Sequence, residues 1–139
     1  MSECEADLRS GEHNPTIKPT TEIRWLAPGV MLVALAGEHD LVTAAELDAT
    51  LGGALESCSG LVVDLGAAEF IDSSTIRVLC VAKDRADRQG CRFSLVLGET
   101  APVVENALLL SGVLPILNRV DTVGQALAGA GVDTHGGEA

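Results

Sequence analysis

Phe70-Ile71-Asp72-Ser73-Ser74-Thr75-Ile76-Arg77-Val78-Leu79 passes from an apolar stretch into the start of a helix. Upstream, Leu61-Val62-Val63-Asp64-Leu65 follows Gly60 as a short, nearly unbroken apolar run, the pattern of a buried strand. Downstream, Leu79, Ala82 and Ala86 recur on one helical face and Lys83, Asp84, Asp87 and Arg88 fall on the other. Gly90 supplies the stop after Gln89. A strand therefore hands over to a helix at Asp72-Ser73-Ser74, residue types whose side chains cap helices.

The same alternation continues on both sides. Ile23 to Leu26 reads as a short strand and Pro28-Gly29 as a turn. Val30 to Ala36 reads as an interior strand closed by Gly37. Thr43, with Glu46 three residues on, has the form of a capping box, and Leu47, Leu51, Ala54, Leu55 and Cys58 follow on one helical face. Arg92 to Leu97 is a further strand, and Ala101-Pro102 opens a helix that ends near Ser111-Gly112. Ile116-Leu117 is expected to be a last short strand, with Asp121-Thr122 capping a final helix to about Ala130. This order predicts an α/β domain: a small mixed or parallel sheet of four to five strands packed with about four helices. Residues 1–20 and 131–139 are polar and aperiodic and read as flexible tails, which leaves a domain over 21–130.

The 139 residues suit one domain, which at this size buries roughly two-thirds of its unfolded surface. Hydrophobic residues make up 47 % and aromatics only 2 %, so the core is aliphatic and no base- or sugar-stacking surface is expected. Nine basic residues stand against 20 acidic ones, a net charge of −11. That balance argues against nucleic acid and against an anionic membrane, and leaves a basic protein as partner. The start, MSECEADLRSGEHNP, lacks the basic and apolar regions of a signal peptide, and no apolar run is long enough to span a bilayer, so a soluble intracellular protein is expected.

Catalytic signatures are missing. The sequence contains no phosphate-cradling GxxxxGK or GxGxxG and no GxSxG elbow. Asp64 ends a strand as the phosphoacceptor of a receiver domain does, but Lys18 and Lys83 are the only lysines and neither follows a late strand. Of His13, His39 and His135, two lie in the tails. Cys4, Cys58, Cys80 and Cys91 form no CxxC and no zinc spacing, so Cys58, Cys80 and Cys91 are expected as small core fillers and Cys4 as a tail thiol. A binding protein without turnover, metal or cofactor is the expectation.

A second segment, Gly37-Glu38-His39-Asp40-Leu41-Val42-Thr43-Ala44, lies between a buried strand and a capped helix. Together the two segments resemble the STAS family of anti-sigma factor antagonists, which carries G-E-L-D-x-x-T-A after the second strand and F-x-D-S-S-G-L-G-x-L after the third. The likeness runs in order and spacing from about Ile23 to Ala130. It implies the STAS fold and a bacterial cytoplasmic, non-enzymatic regulator of transcription in a stress response, acting as a monomer or weak dimer. Such a protein binds an anti-sigma factor of the serine-kinase type and frees its sigma factor. It is switched off when a serine at a helix N-terminus becomes phosphorylated.

The resemblance makes Ser73 the phosphate acceptor, with Ser74 as the competing one. It places Asp40, Asp72, Ser73, Ser74, Thr75 and Arg77 on the partner-binding face. Helix physics suits that assignment. The first-turn N–H groups have no intrahelical partner, and about half a positive charge gathers at that end. A phosphate, adding about −1.5 to −2 charge, is tolerated there. Asp72 or Ser73 also fits a purely structural part, as the helix cap. The sequence departs from the family pattern where it bears on the partner face: His39 stands for leucine, and Thr75 and Arg77 for glycines. The last two are expected to set partner choice, because glycine there would admit close approach of a partner backbone. Two further expectations stay open: a STAS binding module controlled by redox chemistry or a ligand, and a stressosome-type scaffold subunit acting without phosphorylation.

Overall fold

The computed structural model describes residues 18–129. The elements in chain order are β1 (Thr20–Ala27), β2 (Val30–His39), α1 (Leu41–Leu55), β3 (Gly60–Ile71), α2 (Ser73–Gln89), β4 (Arg92–Val96), α3 (Pro102–Leu110), β5 (Arg119–Val120) and α4 (Val123–Gly129). The five strands form one sheet in sequence order, β1-β2-β3-β4-β5. The β1–β2 hairpin is antiparallel and every later pair is parallel, so the sheet is mixed. The expected class, strand number and helix number hold among the described residues.

The two faces of the sheet are covered unequally. Leu47, Leu51 and Leu55 of α1, Leu79 and Ala82 of α2, and Val104 and Leu108 of α3 pack on Val33, Leu35, Val63, Leu65, Phe93 and Leu95. The opposite face holds a smaller cluster of Val30, Leu32, Val62 and Val96, with Ala126 of α4 as its helical cover. The aliphatic core expected from the scarcity of aromatics is present on both faces.

Several boundaries differ from expectation, each for a local reason. Asp40 caps α1: its Oδ1 accepts from the Val42 amide at 3.0 Å. Thr43 is the third residue of that helix and its hydroxyl accepts from the Asp40 amide at 3.2 Å, so it completes the capping box from inside the helix instead of opening it. Cys58 lies beyond the end of α1. Gly37 does not end β2. It sits at φ +83° where the β2–β3 register slips, a conformation glycine adopts without steric penalty. Ile116-Leu117 is a turn, because both amides are taken by the Val113 carbonyl, and the last strand is Arg119–Val120. Thr20 belongs to β1 and not to the tail. Gly90 closes α2 in the left-handed conformation, as the sequence predicts. The tail assignments, apart from residues 18–20, and Cys4 lie outside the described residues.

Leu79 has no exposed surface and anchors α2 on the sheet. Leu79→Ala should lower unfolding stability by about 2–5 kcal/mol, the range for buried leucines, measured by urea denaturation.

Candidate functional site

The parallel β2–β3 pair ends in register at His39↔Ile71. The next residue of each strand is an aspartate, Asp40 or Asp72, and each caps the helix that follows. Two helices thus begin on adjacent strand ends, about 4.8 Å apart in the pairing direction, with the positive ends of their dipoles side by side. The two sequence segments singled out above meet here.

Register is decisive for that meeting. Val30 pairs with Gly60 at the start of the strands, whereas Glu38 pairs with Phe70. The partner offset grows from 30 to 32, so β3 carries two more residues than β2 over this span. They are absorbed at irregularities between Ala34 and Ala36 and between Gly37 and Glu38.

Asp72 organises the start of α2. Its Oδ1 accepts from the Ser74 hydroxyl at 2.6 Å, the Thr75 amide at 3.1 Å and the Thr75 hydroxyl at 3.2 Å. Partial burial pushes the Asp72 carboxyl up, but the hydrogen bonds from Ser74 and Thr75 together outweigh it and hold the group below the ordinary carboxylate range. Ser74 is therefore tied into the cap and half-buried. Ser73, the first residue of α2, is exposed, and its hydroxyl makes no hydrogen bond to another described residue.

The six residues named from sequence divide accordingly. Asp40 and Ser73 are exposed at adjacent strand ends, and Asp72 and Ser74 are half-buried. Arg77 is exposed one turn into α2. Thr75 is not on the surface. It is 0 % exposed, and its hydroxyl is turned onto Asp72. Its replacement of glycine adds a buried side chain and a cap hydrogen bond, so it cannot set partner choice by touching a partner.

His39 is likewise buried, at the base of the Asp40 turn. Its Nε2 lies 3.0 Å from the Ala36 carbonyl, which can only accept, so Nε2 carries the proton and Nδ1 faces the Thr43 hydroxyl at 3.4 Å. The imidazole braces the loop from within.

An open groove of about 370 Å³ runs between α1 and α2 beside these turns, lined by Leu41, Ala44, Asp48, Arg77, Val78 and Val81. Leu41 is 73 % exposed and Val42 85 % exposed. The two open α1 directly after Asp40, an exposed apolar pair that sequence patterning did not single out. The available signal was an apolar pair directly after a capping aspartate, off the stripe of Leu47, Leu51 and Leu55.

Comparison with known proteins bears on this arrangement. The family model described as "Mlab, STAS domain" matches residues 26–118. The chain belongs to the STAS-domain family. RsfB of Mycobacterium tuberculosis, an anti-sigma-F factor antagonist, is 29 % identical over 102 residues, which are 73 % of this chain and 81 % of RsfB. A solved anti-sigma factor antagonist from Mycobacterium paratuberculosis superposes with a TM-score of 0.71 at 26 % identity, over 81 % of this chain and 93 % of that one. The antagonist SpoIIAA in its unphosphorylated form gives 0.68 at 15 % identity, over 83 % of this chain and all 100 % of its own. The phosphorylated form of the Bacillus protein gives 0.62 at 17 %, over 80 % and 99 %. At those identities SpoIIAA shows that the STAS fold is shared. Among the described residues no helix is long and apolar enough to cross a membrane.

The thiols of this STAS domain sit away from the caps. Cys58 and Cys91 precede β3 and β4, at the opposite end of the parallel strands, with their sulfurs 4.0 Å apart. Burial, with the Cys91 thiol adding to it, pushes the Cys58 thiol up to about 12, and burial also raises Cys80 and Cys91. Cys80 lies within α2, and the thiol that Cys91 meets is Cys58.

Two outcomes follow from this geometry. Asp72→Ala removes the cap of α2 and should destabilise the domain by about 1 kcal/mol near neutral pH. Because the Asp72 carboxyl is held low in the folded chain, its contribution is complete above the unfolded carboxylate range and disappears as pH falls through the lowered value. Denaturant titrations of both proteins down the pH scale should therefore converge in acid. A thiol at about 12 instead of 9.0 has a thiolate fraction lower by about a thousandfold at neutral pH. Cys58 in the native chain should accordingly react with iodoacetamide about that much more slowly than a free thiol, followed by mass spectrometry.

Proposed function

We propose that this chain is an anti-sigma factor antagonist that docks an anti-sigma factor of the serine-kinase type, frees the bound sigma factor, and is switched off by phosphorylation of Ser73. The docking face is the double-cap surface: Asp40, Asp72, Ser73 and Ser74 with Arg77, rimmed by Leu41 and Val42. The observation that carries this reading is the division of labour between the two serines. Asp72 holds the Ser74 hydroxyl at 2.6 Å, while the Ser73 hydroxyl is exposed and unengaged. A kinase can reach Ser73 without breaking a bond that the fold uses. RsfB bears the name of an anti-sigma-F factor antagonist, and SpoIIAA has both an unphosphorylated and a phosphorylated form, which supports the same reading.

The physical sequence is short. The unmodified face offers Leu41 and Val42 to an apolar surface and two aspartates to a basic one, and the charge of −11 speeds encounter with a basic partner. A phosphate on Ser73 meets the positive end of α2 inside the domain, so folding is retained. Towards the partner it adds about two negative charges, in a position shaped for a hydroxyl. Like-charge repulsion from Asp40 and Asp72 and the desolvation of the phosphate oppose docking. The chain itself supplies no turnover in this scheme; phosphoryl transfer belongs to the kinase.

The test is incubation with the co-purifying anti-sigma factor and ATP, followed by mapping of the phosphate. It should fall on Ser73, and the phosphorylated protein should bind at least about tenfold more weakly, or 1.4 kcal/mol, with an unchanged circular dichroism spectrum. Ser73→Ala should stay bound in the presence of ATP. Phosphate on Ser74 alone would move the switch by one residue, and binding indifferent to ATP would replace the switch with a phosphorylation-independent antagonist.

A further inference from the structure

The strand β1 forms one edge of the sheet, with β2 on its inner side and no neighbour on its outer side among the described residues. Its side chains alternate. Ile23 and Trp25 pair across β2 with Val33 and Met31, so they continue the face on which α1 to α3 pack. They lie beyond the cover of those helices, 52 % and 55 % exposed. Glu22 and Arg24 point to the other face, exposed, with Arg24 Nε 3.8 Å from Glu22 Oε2. An exposed pair at that distance contributes little within one chain.

We propose that two copies of this chain pair through β1, antiparallel about a two-fold axis at Ile23, to make one continuous ten-stranded sheet. The register follows from symmetry and charge. A two-fold axis normal to the sheet keeps every residue on its own face, so residues directly opposite must have the same parity, and the axis passes through a residue. Two axes leave most of the strand paired. Through Arg24, the axis sets Arg24 against the partner copy's own Arg24, which is repulsive. Through Ile23, it sets Glu22 against the second copy's Arg24, and Arg24 against the second copy's Glu22. On the other face the two Ile23 side chains meet, each flanked diagonally by a Trp25, within reach for an aromatic ring. The edge amides and carbonyls gain partners, and the exposed apolar pair is covered.

The rotation turns the second copy end over end within the sheet plane. The two double-cap faces then point to opposite ends of the assembly, so pairing leaves both open to a partner.

Sedimentation equilibrium on the full chain, from about 1 µM to 1 mM, should show the mass rising from 14.3 kDa towards twice that value. Trp25 is the only tryptophan, so its emission should shift to the blue over the same range. Glu22→Arg and Arg24→Glu each set like charges across the axis and should weaken pairing by at least about tenfold. The double variant Glu22→Arg/Arg24→Glu restores opposite charges and should recover wild-type pairing, while Ile23→Lys should leave a monomer with a native circular dichroism spectrum. A chain that stays at 14.3 kDa throughout overturns the proposal. So does a dimer indifferent to these changes, or single swaps that the double variant fails to rescue. Binding of the anti-sigma factor should survive in Ile23→Lys, which separates this proposal from the function of the cap face.

Discussion

The pairing of β2 with β3 governs where everything else falls. These strands start in register at Val30↔Gly60 and finish at His39↔Ile71, and two extra residues in β3 must be taken up between those points. A slip of two residues amounts to about 7 Å along a strand. Without the irregularities around Ala36 and Gly37, Asp40 and Asp72 would end on different levels, and the starts of α1 and α2 would be staggered. With them, two capping aspartates share one end of the sheet. The left-handed conformation of Gly37 is the local expense of that alignment.

Once the caps are level, the polar groups that build the two turns have structural duties and Ser73 does not. Asp72 gathers the Thr75 amide and two hydroxyls, Thr43 closes the Asp40 turn, and His39 braces that turn from inside. The glycine-to-threonine change at Thr75 strengthens this scaffold, because its buried hydroxyl adds a bond to Asp72. Arg77 is different in kind. It is exposed one turn after Ser73 and brings a cation to a groove it shares with Leu41, Asp48, Ser74 and Val81. Of these departures from the family pattern, His39 and Thr75 are buried and serve the fold, whereas Arg77 lies on the surface.

Unequal cover of the sheet has consequences at its edge. Three helices shield one face and one short helix the other, and β1 extends past the shelter on the better-covered side. The hydrophobic surface of Ile23 and Trp25 is left in water, beside a charge pair that is complementary to itself under two-fold rotation. The buried thiols behave in the opposite way: burial that keeps Cys58 and Cys91 in the core also suppresses their ionisation, so proximity alone does not make them reactive.

Much of this molecule is written in local pattern. The 3.6-residue spacing of Leu79, Ala82 and Ala86, the stop at Gly90, the apolar run Leu61 to Leu65 and the Pro102 opening all appear where periodicity and capping chemistry place them. These features depend on contacts within a few residues, so the sequence by itself determined the α/β order and the position of Ser73 at a helix start. Tertiary structure decided the rest. Whether Thr75 faces a partner or the core depends on how α2 packs, and which residue caps α1 depends on where β2 lets go of β3. That Cys58 meets Cys91 across 33 positions, and that Leu41 and Val42 remain outside while Leu47 is inside, are outcomes of strand register and helix docking. Such long-range pairings leave no periodic trace in the chain, because each is set by two segments whose relative placement neither encodes alone.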